Sequence, residues 1–244
     1  MKQTELIMGM PITIGVVGGN ESVIKSAFDY FRHVDAGFST YKNDSEISRF
    51  NHGDLPENAL SDEVKMILQE CDRYKHETQG FFDITRPDGS LDPSGLVKGW
   101  SIKGVADLIT AAGFNNFFVS AGGDVQTSGR NASGQPWRVG ITNPFEPAKF
   151  AKQVALSGEA IATSGTYERG AHIYNPHTGQ DVTEIVSLSV IGPGIYETDI
   201  LATAAFVMGK PGLKFLQEHG YEACLISADQ TVTLTPGFKR FEVV

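Results

Sequence analysis

Three observations predict an α+β fold for this chain. Helical and strand patterns follow one another without regular βαβ alternation, the β signals concentrate after residue 115, and 41% of the 244 residues are apolar, enough to bury a large core. Taking the elements in order, the alternation over 7–17 followed by "GGN" predicts a strand closed by a turn. Residues 21–34 then read as a helix. The clearest helix is 61–79: Val64, Ile67, Leu68, Cys71 and Tyr74 keep three-and-four spacing, Ser61 is placed to cap it and Gly80 to end it. After the turn-rich "RPDGSLDPSG" a further helix spans 97–112 and stops at Gly113. Strands are expected within 116–129 and 136–144, broken by glycine turns, and in short runs at 153–163, 170–174 and 184–192. Helices at 197–209 and 211–219 precede terminal strands near 221–227, 230–235 and 239–243. With no repeat, low-complexity tract or obvious linker, 1–244 is expected to form a single domain.

Charge and composition exclude several function classes. Twenty Lys and Arg oppose 29 Asp and Glu, for a net charge of −9, and no basic cluster stands out, which argues against nucleic acid as a partner. The N-terminal "MKQTELIMGMPITIGVVGG" lacks the pattern of a signal peptide, and no apolar run reaches the roughly 18 residues of a membrane span. A cytoplasmic location without membrane insertion is expected. Cys71 and Cys224 show neither CxxC nor zinc-ligand spacing and read as buried apolar residues.

Three stretches combine glycine, hydroxyls and charge in ways that packing does not require. "DPSGLVKGW", 92–100, sets Gly95 and Lys98 at a helix start, where free N–H groups and an ammonium suit an anionic phosphate; a plain turn capped by Ser94 is the alternative. "SAGGDVQTSG", 120–129, contains Gly122 and Gly123, which would let the backbone touch a ligand or simply close a hairpin. "IATSGTYERGAHIYNPHTG", 161–179, runs Thr163, Ser164 and Thr166 ahead of His172, either a base beside a substrate-positioning loop or a hydrogen-bonded structural histidine. Neither GxxxxGK[ST] nor GxGxxG occurs.

The helix "ETDILATAAFVMG" adds a fourth feature. Asp199 and Thr203, four residues apart, share one face of an otherwise apolar element. A carboxylate and a hydroxyl are oxygen donors of the kind Mg²⁺ selects, with positions left for water, a carbonyl and phosphate oxygens. The alternative is that Asp199 caps the helix and Thr203 bonds back one turn.

As an ordered set, "FSTYKNDSEISRFN", "GFFDIT", "DPSGLVKGW", "SAGGDV", "ATSGTYERGAHIYNPHTG" and "TDILATAAFVMG" resemble the FAD:protein FMN transferase (ApbE) family. That resemblance implies an ApbE-like α+β fold with mixed or antiparallel sheets and packed helices. It implies Mg²⁺-dependent transfer of the FMN half of FAD to a threonine of an acceptor protein, with release of AMP. Alternatives within the same resemblance are an FAD pyrophosphatase and a non-catalytic FAD-binding protein. By position, Asp199 and Thr203 match the family's metal-binding D-x-x-x-T, with a carbonyl ligand placed at Gly95, and His172 matches the base for the acceptor hydroxyl. Ser39, Thr40, Tyr41, Ser45, Glu46, Lys98, Gly122, Gly123, Asp124, Thr163, Ser164 and Gly165 are implied to bind FAD. Two departures stand out: only residues 84–91 separate Asp83 from Asp92, where many members carry several tens, and the common GG-x-A-K-G reads Ser94-Gly95-Leu96-Val97-Lys98-Gly99.

Overall fold

In a computed structural model, which describes residues 1–166 and 174–243, an eight-stranded sheet carries the helices that build the site. Its order is β1-β2-β3-β4-β7-β8-β9-β10, every neighbouring pair antiparallel. The strands are β1 (Lys2–Ile7), β2 (Met10–Val16), β3 (Phe117–Ala121), β4 (Asp124–Ser128), β7 (Ala160–Gly165), β8 (Ile185–Gly192), β9 (Glu222–Ser227) and β10 (Val232–Leu234). A separate hairpin of β5 (Trp137–Asn143) and β6 (Glu146–Leu156) shares a second core with Val125, Ile161 and Ile226 of that sheet.

The first predicted strand, 7–17, is β2 together with the turn that joins it to a preceding strand, β1. Met8 and Gly9 both have positive φ, 56° and 72°, and turn β1 back on β2. The missed strand β1 lies at the sheet edge, with most of its residues exposed, so it carries no burial alternation to read. The predicted run 153–163 is two strands in different sheets, separated at Ser157–Glu159. The strand expected over 239–243 is replaced at its start by a 3-10 turn, Pro236–Arg240, which buries Phe238 in the second core. Beyond it, the Ala155 N–H donates to the Phe241 carbonyl at 2.8 Å and the Val243 N–H to the Gln153 carbonyl at 2.9 Å, tying the segment to β6. The run at 170–174 lies outside the described residues except for Tyr174.

Six α-helices are described. α1 (Glu21–Phe38) begins at Asn20, whose side chain accepts from the Val23 N–H, and extends one turn past the predicted end because Phe38 is buried. A short helix α2 (Glu46–Asn51) was not expected; Ser45 caps it. α3 (Asp62–Glu77) follows the prediction closely, with the Ser61 hydroxyl accepting from the Val64 N–H. α4 (Ser94–Ala111) starts three residues before the expected Val97. α5 (Ile195–Met208) and α6 (Pro211–Glu218) complete the set. α5 packs on α4, α6, β7 and β8 at once, which is why its sequence is apolar on nearly all sides. At the α4–α5 crossing a Cβ on Gly99 would stand 2.9 Å from both the Asp199 Cβ and the Ile195 carbonyl oxygen, so glycine sets the spacing of the two helices.

Candidate active site

A cleft of about 450 Å³ opens where the start of α4, the middle of α5, the end of β7, the β1–β2 and β3–β4 turns and the loop after α1 converge. Its polar floor is an ion cluster. Lys98 of α4 reaches Asp124 Oδ2 at 2.6 Å and Asp199 Oδ1 at 3.2 Å. Both carboxylates are buried, Asp124 at 0% and Asp199 at 2% exposure. The remaining oxygens are fixed by backbone donors: the Gly99 N–H to Asp199 Oδ2 at 2.8 Å and the Thr163 N–H to Asp124 Oδ1 at 2.9 Å. The Lys98–Asp124 contact at 2.6 Å is a close ion pair that occupies Asp124 Oδ2.

Electrostatics follow from this packing. Burial raises the Asp199 pKa above its ordinary value and the neighbouring Asp124 adds to the effect, with Lys98 pulling the other way. Burial opposes the charge on Lys98, but the Asp124 and Asp199 carboxylates outweigh it and hold the ammonium above its usual range. The cluster therefore favours a charged Lys98 between two buried acidic side chains at the base of the cleft.

The cleft lining includes Ser39, Thr40, Tyr41, Gly95, Lys98, Gly122, Thr163, Ser164, Gly165, Asp199 and Thr203. Ser164 Oγ lies 3.4 Å from Thr203 Oγ1, and Thr203 Oγ1 also donates to the Asp199 carbonyl at 3.2 Å, the one-turn bond expected of a helical threonine. Asp199 does not cap α5, which starts four residues earlier after Gly194. A Cβ on Gly95 would lie 3.7 Å from Thr203 Oγ1, which sets the first turn of α4 directly against that hydroxyl. Ser94 is not the cap of α4 either: Pro93 holds that position, and Ser94 donates through both N–H and hydroxyl to Asp92.

Gly122 and Gly123 form the two-residue β3–β4 turn, with φ of 55° and 92°. Gly122 lines the cleft; Gly123 does not. Ser45 and Glu46 also lie outside the lining, Ser45 bracing the loop 39–45 from behind and Glu46 tying α2 to the start of α3. Ser45 donates to the Ser39 carbonyl at 2.6 Å and caps α2, and Glu46 accepts from the Ser61 N–H at the start of α3. Thr40 Oγ1 is buried without a partner, and the Tyr41 ring is 87% exposed at the cleft mouth. His172 lies outside the described residues.

Several lining residues escaped the sequence reading: Met8, Asp35, Arg86, Tyr174 and Pro176 among them. The short segment after Asp83 folds as a tight hairpin, with a bridge between Thr85 and Leu91 and an Arg86–Asp92 ion pair, and Tyr174 donates to the Thr85 carbonyl at 2.7 Å. "RPDG" marked only the turn; its place at the cleft depends on contacts distant in sequence.

The antiparallel sheet with its packed helices is a fold shared with solved flavin-transferase and ApbE structures. The ApbE protein of Thermotoga maritima superposes with a TM-score of 0.87 at 20% identity, over 100% of this chain and 99% of that one. The flavin transferase ApbE of Vibrio cholerae superposes at 0.84 with 24% identity, over 99% and 98%. The ApbE family model matches residues 8–88 and 85–225, and the chain belongs to that family. Among relatives, the FAD:protein FMN transferase of Vibrio cholerae is 29% identical over 85% of this chain and 78% of its own length. The protein of the same name from Salmonella typhimurium is 26% identical, over 84% and 77%.

Proposed function

We propose that this chain is an FAD:protein FMN transferase, with 1–244 acting as one catalytic domain that moves the FMN half of FAD onto a threonine of an acceptor protein and releases AMP. The observation that carries this reading is the meeting of Asp199, Thr203, Gly95 and Lys98 in one cleft of an ApbE-family chain.

The donor chemistry fits Mg²⁺. Asp199, the Thr203 hydroxyl and the Gly95 carbonyl are hard oxygens on adjoining turns of α4 and α5, and the Gly99 N–H, which a regular helix would direct at the Gly95 carbonyl, donates to Asp199. Asp124 adds a buried carboxylate nearby, its Oδ2 ion-paired to Lys98 at 2.6 Å. Among the described residues no three His, Cys, Asp or Glu side chains gather, so the protein donors would be few and water or phosphate oxygens would complete the shell. When bound, Mg²⁺ would supply positive charge against the phosphate oxygens of FAD.

The chain's own residues account for the rest. Lys98 offers an ammonium to a pyrophosphate oxygen, and the loop 39–41 with Thr163 to Gly165 flanks the dinucleotide. The acceptor threonine oxygen bonds to the FMN phosphorus as the P–O bond to AMP breaks. The hydroxyl proton passes to His172, and general-base help of this kind contributes about 10²–10⁴ in rate. Replacing Asp199→Ala tests the metal assignment: Mg²⁺-dependent turnover is expected to vanish, and normal activity at limiting Mg²⁺ would remove Asp199 from the metal site.

A further inference from the structure

The cluster at the cleft floor already holds a cation of its own. Lys98 Nζ sits against Asp199 Oδ1, and the other Asp199 oxygen is taken by the Gly99 N–H. A divalent cation meeting Asp199 alone would face that ammonium at close range. An anionic pyrophosphate arriving alone would face two buried carboxylates with only one ammonium to offset them. The pyrophosphate alone meets a net negative cluster, and the cation alone meets an Asp199 whose oxygens are already engaged by Lys98 and Gly99; bound together, each ligand relieves the other's obstacle.

Lys98 has one direction in which to yield. Its side chain is 22% exposed and lines the cleft, whereas Asp124 and Asp199 are held almost fully buried, Asp199 at the cleft wall. Withdrawn from Asp199, the ammonium would lose a partner in a poorly hydrated site, which is costly unless another anion receives it. A phosphate oxygen in the cleft supplies that anion. We infer that Lys98 makes cation and dinucleotide binding interdependent: it holds the cation's place at Asp199 until a pyrophosphate draws it off. The inference rests on the metal and dinucleotide reading of the cleft given above. It makes Lys98 a positioning residue whose effect is a coupling between two ligands, and linkage requires that coupling to be reciprocal.

The test is a Mn²⁺ titration followed by the EPR signal of the free ion, with and without saturating ADP, on the wild-type protein, Lys98→Met, Lys98→Gln and Asp199→Asn. Association of Mn²⁺ with ADP in solution is common to all four and cancels from their comparison. For the wild type, ADP should strengthen Mn²⁺ binding by about tenfold or more beyond the solution association, within the usual range of coupling between sites. Both neutral Lys98 variants should bind Mn²⁺ alone more tightly than the wild type and should lose most of the gain from ADP. The Gln variant keeps hydrogen-bond donors for the two carboxylates if Met does not fold. An unchanged ADP gain in the Lys98 variants, or no gain in the wild type, overturns the inference. Retention of Mn²⁺ by Asp199→Asn would instead overturn the metal reading beneath it.

Discussion

Gly99→Ala puts a methyl group where the α4–α5 crossing has no room. The added carbon would lie 2.9 Å from the Asp199 Cβ and from the Ile195 carbonyl oxygen, and 3.2 Å from Asp199 Oδ2. Two of those neighbours are backbone or near-backbone atoms, so the helices must separate. Overpacking of this kind costs about 1–3 kcal/mol. Separation also stretches the Gly99 N–H bond to the buried Asp199 carboxylate, a charged hydrogen bond worth about 1.5–3 kcal/mol when lost. Alanine recovers about 1 kcal/mol through its better helix propensity. The net loss is about 1.5–5 kcal/mol, which for a chain of this size lowers Tm by about 3–20 °C. Gly37→Ala in α1 is the control: a Cβ there meets nothing within 4 Å, and the variant should gain about 0.5–1 kcal/mol. Calorimetry on both variants, with Mn²⁺ binding measured alongside, decides the matter. A Gly99→Ala protein as stable as Gly37→Ala, with unaltered Mn²⁺ affinity, would refute the claim that this glycine sets Asp199 in place.

Three further outcomes are expected, two from the buried thiols and one from the base that the family resemblance implies. Cys71 and Cys224 are buried, and that burial pushes both thiols up to about 12, so a thiol reagent at pH 8 should label neither in the native protein and both in urea. Above the ordinary thiol value near 9 the unfolded chain ionises first while the native thiols stay protonated; the urea midpoint should therefore fall as pH rises from 9 towards 12. His172→Ala should slow transfer by about 10²–10⁴ and leave FAD affinity nearly unchanged, as read by flavin fluorescence titration; collapse of FAD binding would make His172 structural.

What the sequence discloses depends on how locally each feature is determined. α3 is legible down to its cap because Ser61, the apolar spacing and Gly80 are all local signals. α5 is legible as a helix, and its Asp199–Thr203 pair stands out because the surrounding residues are apolar. α2 is hidden because it is six residues long and buries only Ile47 and Ser48. The first turn of α4 is hidden behind Pro93 and the Asp92–Ser94 hydrogen bonds, which read as a turn until the helix is seen to continue from them. The ion cluster lies beyond any sequence pattern. Lys98, Asp124 and Asp199 come from three elements, and only the register of β4 against β7 and the close α4–α5 crossing bring them together. Family resemblance marks those residues as important without disclosing that they touch.

The central claim is that FMN leaves FAD and is retained on an acceptor. The direct test is to incubate the purified protein with FAD and Mg²⁺, with and without an acceptor flavoprotein carrying the target threonine, following AMP and the flavin fluorescence that stays with the acceptor after denaturation. The account predicts AMP in step with covalently retained fluorescence, both abolished by Asp199→Ala. AMP with free FMN and an unlabelled acceptor would contradict transfer in favour of hydrolysis, and FAD bound but recovered intact would contradict catalysis altogether.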